Sequence, residues 1–188
     1  LAPAGVAQGA LNVAVLRLGL RTDAYSAVLN ALRVNLSGTG DDADVTAIKL
    51  FKDNGDGAFN LADETFLSVT GSAFANKTAL LTPQSPVSIA TTTAYYFLAF
   101  DVSGVARAGA QLGAALGSAS YLTLQSPDTA ADTGFPNASG LMTVAATVDG
   151  LSVTGADVAP ATVNQAAAFQ FAFPGAPSDF FWSSSPAM

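Results

Sequence analysis

The sequence predicts an all-β fold, an antiparallel β-sandwich with an extended C-terminal strand or tail, and three observations carry that reading. Short apolar runs alternate with polar residues, turn signals recur every 8 to 12 residues, and no stretch shows convincing helical periodicity. Two-sheet packing is the ordinary way for such strands to bury their apolar faces.

The elements follow in order. Leu11, Val13 and Val15 alternate on odd positions, then Leu16, Leu18 and Leu20 on even ones. A change of phase inside one run marks a strand that bulges or crosses between sheets. Val28, Leu32, Val34 and Leu36 form one face of a half-buried strand, with Ala31, Arg33 and Asn35 on the other. Asp41 to Asp44 is a turn, and Val45 to Phe51 is a strand entering an acidic loop. Thr65 to Val69 and the neighbourhood of Val87 and Ile89 are further short strands. Ala94 to Val102 is apolar at nearly every position, which places it inside a sheet and covered on both faces. Between Arg107 and Ser120 the glycines at 109, 113 and 117 would each cost a helix about 1 kcal/mol, so a strand pair is expected there. Tyr121 to Leu124 is a strand, Gln125 to Gly140 a polar loop, and Leu141 to Val148 and Leu151 to Val153 are the last sandwich strands. The domain organisation is a sandwich over 1–155 and an extension over 156–188.

Composition removes most chemistry. The chain has neither cysteine nor histidine, which excludes disulfides, thiolate or imidazole metal sites, and Ser-His or Cys-His nucleophiles. No pair of carboxylates stands out as a glycosidase would need, and no glycine loop has the lysine and the strand–helix setting that phosphate binding requires. The expectation is that the chain is not an enzyme. Charged residues are 11% of the chain against 50% apolar ones, where an ordinary soluble domain has about 25% charged. Such a surface favours burial against other copies of itself. No apolar run approaches the roughly 20 residues of a membrane helix, so no membrane span is expected. The seven scattered basic residues and a net charge of −7 argue against nucleic acid. The chain starts at Leu1 without a signal peptide, as a processed or trimmed chain would.

Oxygen ligands are dense in one place only, Leu50 to Glu64. Asp53, Asn54, Asp56, Asn60 and Asp63, with the Ala58 carbonyl, surround Gly55 and Gly57. Carboxylate and amide oxygens at short intervals around a turning glycine suit a hard cation, Ca2+ in a structural role. Counting back from Gly57 puts Lys52 where an EF-hand loop has its first aspartate, so the ligand register is irregular. The competing reading is an Asn-Gly/Asp-Gly hairpin turn whose acids are solvated.

The run Asp44-Val45-Thr46-Ala47-Ile48-Lys49-Leu50-Phe51-Lys52-Asp53-Asn54-Gly55-Asp56-Gly57, followed by Asp63-Glu64 and by Tyr96-Phe97-Leu98-Ala99-Phe100-Asp101-Val102-Ser103-Gly104, resembles the immunoglobulin-like modules repeated in large bacterial cell-surface and secreted proteins. Val6 to Leu16 is similar to the first strand of such modules. The resemblance covers about residues 2 to 155 and departs from the pattern by one residue missing between Asp53 and Asn54. It implies an immunoglobulin-like sandwich with a calcium-type loop, at the cell surface or outside the cell. Spacers, adhesion units and assembly units share this fold, so it implies no one function.

The tail carries a second signal. Ala159 to Ala167 matches Ala2 to Ala10 at six of nine positions, as the start of a next module in a tandem array would. Beyond Val163, Phe169, Phe171 and Phe173 alternate on one face, and Phe180, Phe181 and Trp182 form a second apolar cluster. Burying three Phe side chains contributes about 5 to 9 kcal/mol, and a lone strand cannot hide them. The expected arrangement is a donor strand given to a neighbouring subunit, which makes head-to-tail filaments; a tail folding back on its own domain is the third arrangement. Asn35, Asn76 and Asn137 begin N-glycosylation triplets. The reading is an extracellular structural subunit forming a pilus-like homopolymer; the alternative is a spacer or adhesion module of a larger tandem-repeat surface protein, binding surface glycans through Tyr25, Tyr95 or Tyr121.

Overall fold

A computed structural model describes residues 1–70 and 74–145, together with the backbone of 152–154 and 170–172. The chain divides into two compact units, Leu1–Ala145 and Ala146–Met188. The first holds strands β1 (Gly5–Ala7), β2 (Val13–Leu20), β3 (Ala27–Ser37), β4 (Val45–Lys52), β5 (Thr65–Val69), β6 (Thr78–Leu81), β7 (Val87–Ile89), β8 (Ala94–Val102), β9 (Gln111–Leu116), β10 (Leu122–Leu124), β11 (Asn137–Ala138) and β12 (Met142–Ala145). Two short 3-10 turns, Asp42–Asp44 and Ala119–Tyr121, are the helical elements among the described residues. None is long and apolar enough to cross a membrane.

The first unit is the all-β sandwich that the sequence predicts. One sheet runs β2-β8-β4-β5, and the other runs β1-β12-β9-β3-β10 with β11 on β9 and β6 and β7 on β3. Among the described residues all pairings are antiparallel except one: β1 lies parallel to β12, with Val6 opposite Val144. The phase change in the first apolar run is a bulge. Ala14 faces Ala99 and Leu16 faces Leu98, so Val15 is the extra residue and both Val15 and Leu16 are buried. From the smaller sheet Leu18, Ile48, Leu50, Tyr96, Leu98 and Phe100 enter the core, and from the larger Leu29, Leu32, Val34, Leu36, Leu112, Leu116 and Met142.

Three expectations are corrected. The stretch from Arg107 to Ser120 forms one strand, β9, and a 3-10 turn, not a strand pair. Gly113 is needed there because an added Cβ would meet the Ser37 and Ser139 hydroxyls and Leu141 at 2.7 to 2.9 Å. The four-residue strand β6 is absent from the sequence reading; its buried positions are only Ala79 and Leu81, too few for a recognisable alternation. The polar loop 125–140 contains the two-residue strand β11.

In the second unit β13 (Ser152–Thr154) pairs antiparallel with β14 (Gln170–Ala172), Val153 opposite Phe171. The segment expected as the last sandwich strand thus pairs with the phenylalanine-bearing segment.

Candidate metal centre

The acidic loop joins β4 to β5 and lies on the outer face of the smaller sheet. Strand β8 supplies that face with Phe97 and Ala99, and β4 supplies Phe51. Phe59, projecting from the loop, covers them: its ring meets Phe51 at 5.3 Å and Phe97 at 5.4 Å between centroids, edge to face. Phe66 of β5 completes the cluster at 5.6 Å from Phe51. Such pairs add about 0.5–1.5 kcal/mol each to their burial. Strand β8 is apolar on both faces because the core covers one and this loop the other.

Backbone bonds fix the loop to its sheet. The Asp53 N–H donates to the Tyr95 carbonyl at 3.0 Å. From the flank, Arg17 Nη1 donates to the Gly57 carbonyl at 2.9 Å, its guanidinium 4.8 Å from the centre of the Tyr95 ring. Inside the loop, the Asn54 side-chain oxygen accepts from the Asp56 N–H at 2.9 Å and Asp56 Oδ1 from the Ala58 N–H at 2.8 Å. These are Asx turns, the local bonds that short Asp and Asn side chains favour. Gly55 and Gly57 take φ of 113° and 77°, the left-handed region that glycine enters without a Cβ clash.

The carboxylates converge at the base of this turn. Asp53 is 8% exposed and accepts the Gly57 N–H at 3.1 and 3.2 Å through its two oxygens. Glu64 reaches back to accept the Asn54 N–H at 3.0 Å. Asp53, Asp56 and Glu64 can each present an oxygen such that all lie within 4.8 Å of one another. Calcium binds oxygens at 2.3–2.6 Å, so ligands across one ion stand up to about 5 Å apart, and the three carboxylates fit such an ion. Partial burial, together with the charges of Asp53 and Asp56, raises the Glu64 pKa above the usual carboxylate value, against the opposing pull of the Asn60 and Asn54 N–H groups.

Of the residues that spacing singles out, Asp53 and Asp56 belong to this group. Asp63 does not: its Oδ2 accepts from Asn60 Nδ2 at 2.6 Å. The Asn60 side-chain oxygen accepts from the Ala62 N–H at 3.3 Å. Asn54 and Ala58 hold the turn through the bonds already described. Glu64, ten residues beyond Asn54, is the third carboxylate of the group, which sequence reasoning missed. Its signal was present, as the only glutamate of the chain at the point where the loop re-enters a strand.

The other predicted positions scatter. Asn35 sits in β3 with its amide donating to the Tyr121 hydroxyl at 2.8 Å and accepting from Thr78 at 3.1 Å. Asn76 is exposed with φ of 52°, and Asn137 is half-buried in β11. Tyr25 and Tyr95 are exposed, and Tyr121 is half-buried. Of the proposed assembly residues, Val163, Phe169, Phe173, Phe180, Phe181 and Trp182 lie outside the described residues, and Phe171 lies in β14.

No protein-family model matches the chain. No curated protein matches it either.

Proposed function

We propose that the chain is an extracellular structural subunit that polymerises head-to-tail, its C-terminal segment completing a sheet of the next copy, with Ca2+ in the Asp53–Glu64 loop as a stiffener. The observation that carries this reading is the phenylalanine-bearing strand. Its backbone at Gln170–Ala172 is paired with Ser152–Thr154 over three residue pairs, and a two-stranded sheet of that size is at best marginal in water. The alternating Phe169, Phe171 and Phe173 need a covering surface, and adding the strand to a sheet edge satisfies both the face and the backbone.

Deletion of residues 156–188 tests the reading: electron microscopy is expected to show filaments of the intact protein and single particles of the truncated one. Filaments that survive the deletion overturn it. The second reading, a module of a tandem array, is favoured by the match of Ala159–Ala167 to Ala2–Ala10; an intact protein that stays monomeric at high concentration supports it.

A further inference from the structure

At the other end of the outer face that Phe59 covers, three side chains meet that the proposed function does not use. Lys49 Nζ lies 2.7 Å from the Asn12 side-chain oxygen, 2.8 Å from Asp101 Oδ1 and 2.7 Å from Asp101 Oδ2. The Asn12 N–H also donates to Asp101 Oδ1 at 2.8 Å. This last bond depends on the backbone of Asn12, whose φ of 55° is left-handed, a conformation asparagine tolerates better than most residues. The side chains of Lys49 and Asp101 are only 19% and 12% exposed.

An amine, a carboxamide and a carboxylate in mutual contact are the complete set of groups for an amide exchange. We propose that Lys49 and Asn12 join in an intramolecular isopeptide bond, with Asp101 as the catalytic acid–base. The carbon to be attacked lies one C=O bond, about 1.2 Å, behind an oxygen already touching the amine. Confinement of this kind replaces an encounter in solution with a step inside one structure. Asp101 first takes a proton from the Lys49 ammonium, which frees the nitrogen lone pair. That lone pair adds to Asn12 Cγ and forms the Nζ–Cγ bond. The tetrahedral intermediate then expels the original amide nitrogen, which collects the second amine proton and the proton held on Asp101. Ammonia leaves, as ammonium in neutral water, and Asp101 returns to carboxylate. No oxidant, reductant or metal enters the balance.

Topology gives the bond a consequence. In the sheet order β2-β8-β4, Val13 pairs with Phe100 and Lys49 with Ala99. The new bond would bridge the start of β2 to β4 across the middle strand.

The test is mass spectrometry of the intact wild-type protein followed by peptide mapping. The expected result is a chain lighter than its sequence by one ammonia, with the Asn12 and Lys49 peptides recovered joined. Lys49→Arg, Asn12→Ala and Asp101→Asn are each expected to restore the full mass. Full mass with separate peptides in the wild type overturns the proposal, whatever the variants do. So does an ammonia loss that maps to Asn54-Gly55, where an asparagine before glycine can close on its own backbone.

Discussion

Phe59 shows how one side chain decides whether a loop is a loose turn or part of the fold. It is half-buried, yet it shields Phe97, which has no exposed surface. Phe97→Ala is expected to cost about 3–5 kcal/mol, the usual range for a core phenylalanine. Phe59→Ala is expected to cost less, about 1.5–3 kcal/mol, in urea unfolding, and to weaken cation binding because the turn loses its anchor. Equal losses for the two would mean that the loop is as integral as the core strand. Glu64 makes a sharper point. Its pKa is raised in the folded state above its ordinary value of 4.5, so the folded chain holds its proton more firmly than the unfolded one. Stability from this group is therefore present at low pH and falls as pH rises through and above 4.5. Glu64→Gln removes that loss. Without divalent cation the variant is expected to gain melting temperature relative to wild type as pH rises towards neutrality; in calcium the order is expected to reverse. A difference that does not vary with pH would separate Glu64 from the titration.

At the scale of elements, the loop and strand β8 explain one another. The sequence run Ala94–Val102 predicts a strand covered on both faces, and it is one. What covers the outer face was not legible, because Phe59 stands with only Ala58, Leu61 and Ala62 among Asp, Asn and Gly, and these make no period to announce it. The carboxylate group was half legible for a similar reason. Spacing finds Asp53 and Asp56, which share a turn, but Glu64 joins them only because the chain doubles back between Asn60 and Glu64. Asn60 and Asp63, equally good by spacing, bond to each other. The change of phase at Val15 was legible, since parity is a local property, while the β2–β8 register decides that it is a bulge and not a crossing between sheets. For an extracellular-type site with Kd near 10⁻³ M, tenfold excess calcium is expected to add about 1.4 kcal/mol. That corresponds to a rise of about 3 to 6 °C in Tm, abolished in Asp53→Asn. A Tm indifferent to calcium and to chelator would leave the carboxylates as a solvated turn.

On the scale of the whole molecule, the sandwich was readable. Alternation in β2, β3 and β4 and the unbroken apolar run of β8 fix an all-β class without any help from tertiary contacts. The larger sheet was harder, since β6, β7, β10 and β11 are two to four residues long and draw their order from longer neighbours: β3 pairs with β9 and β10 along one edge and β6 and β7 along the other, and β11 pairs with β9. If the tail is given to a neighbour, a mixture of truncated protein and a peptide covering 163–175 is expected to bind one to one by calorimetry. Absence of heat and of competition by excess peptide in filament growth would count against an exchanged strand.

The parallel pair β1–β12 has a mechanical meaning. These are the first and last strands of the sandwich unit, side by side and running the same way. A pull on the chain before β1 and after β12 therefore drags the two strands past each other along their length. The load falls on all of their hydrogen bonds together in shear, where an antiparallel pair would open one bond at a time like a zip. A subunit of a fibre under tension would resist at this seam, and Val6, buried beside Val144, is the side chain whose loss should lower the unfolding force first.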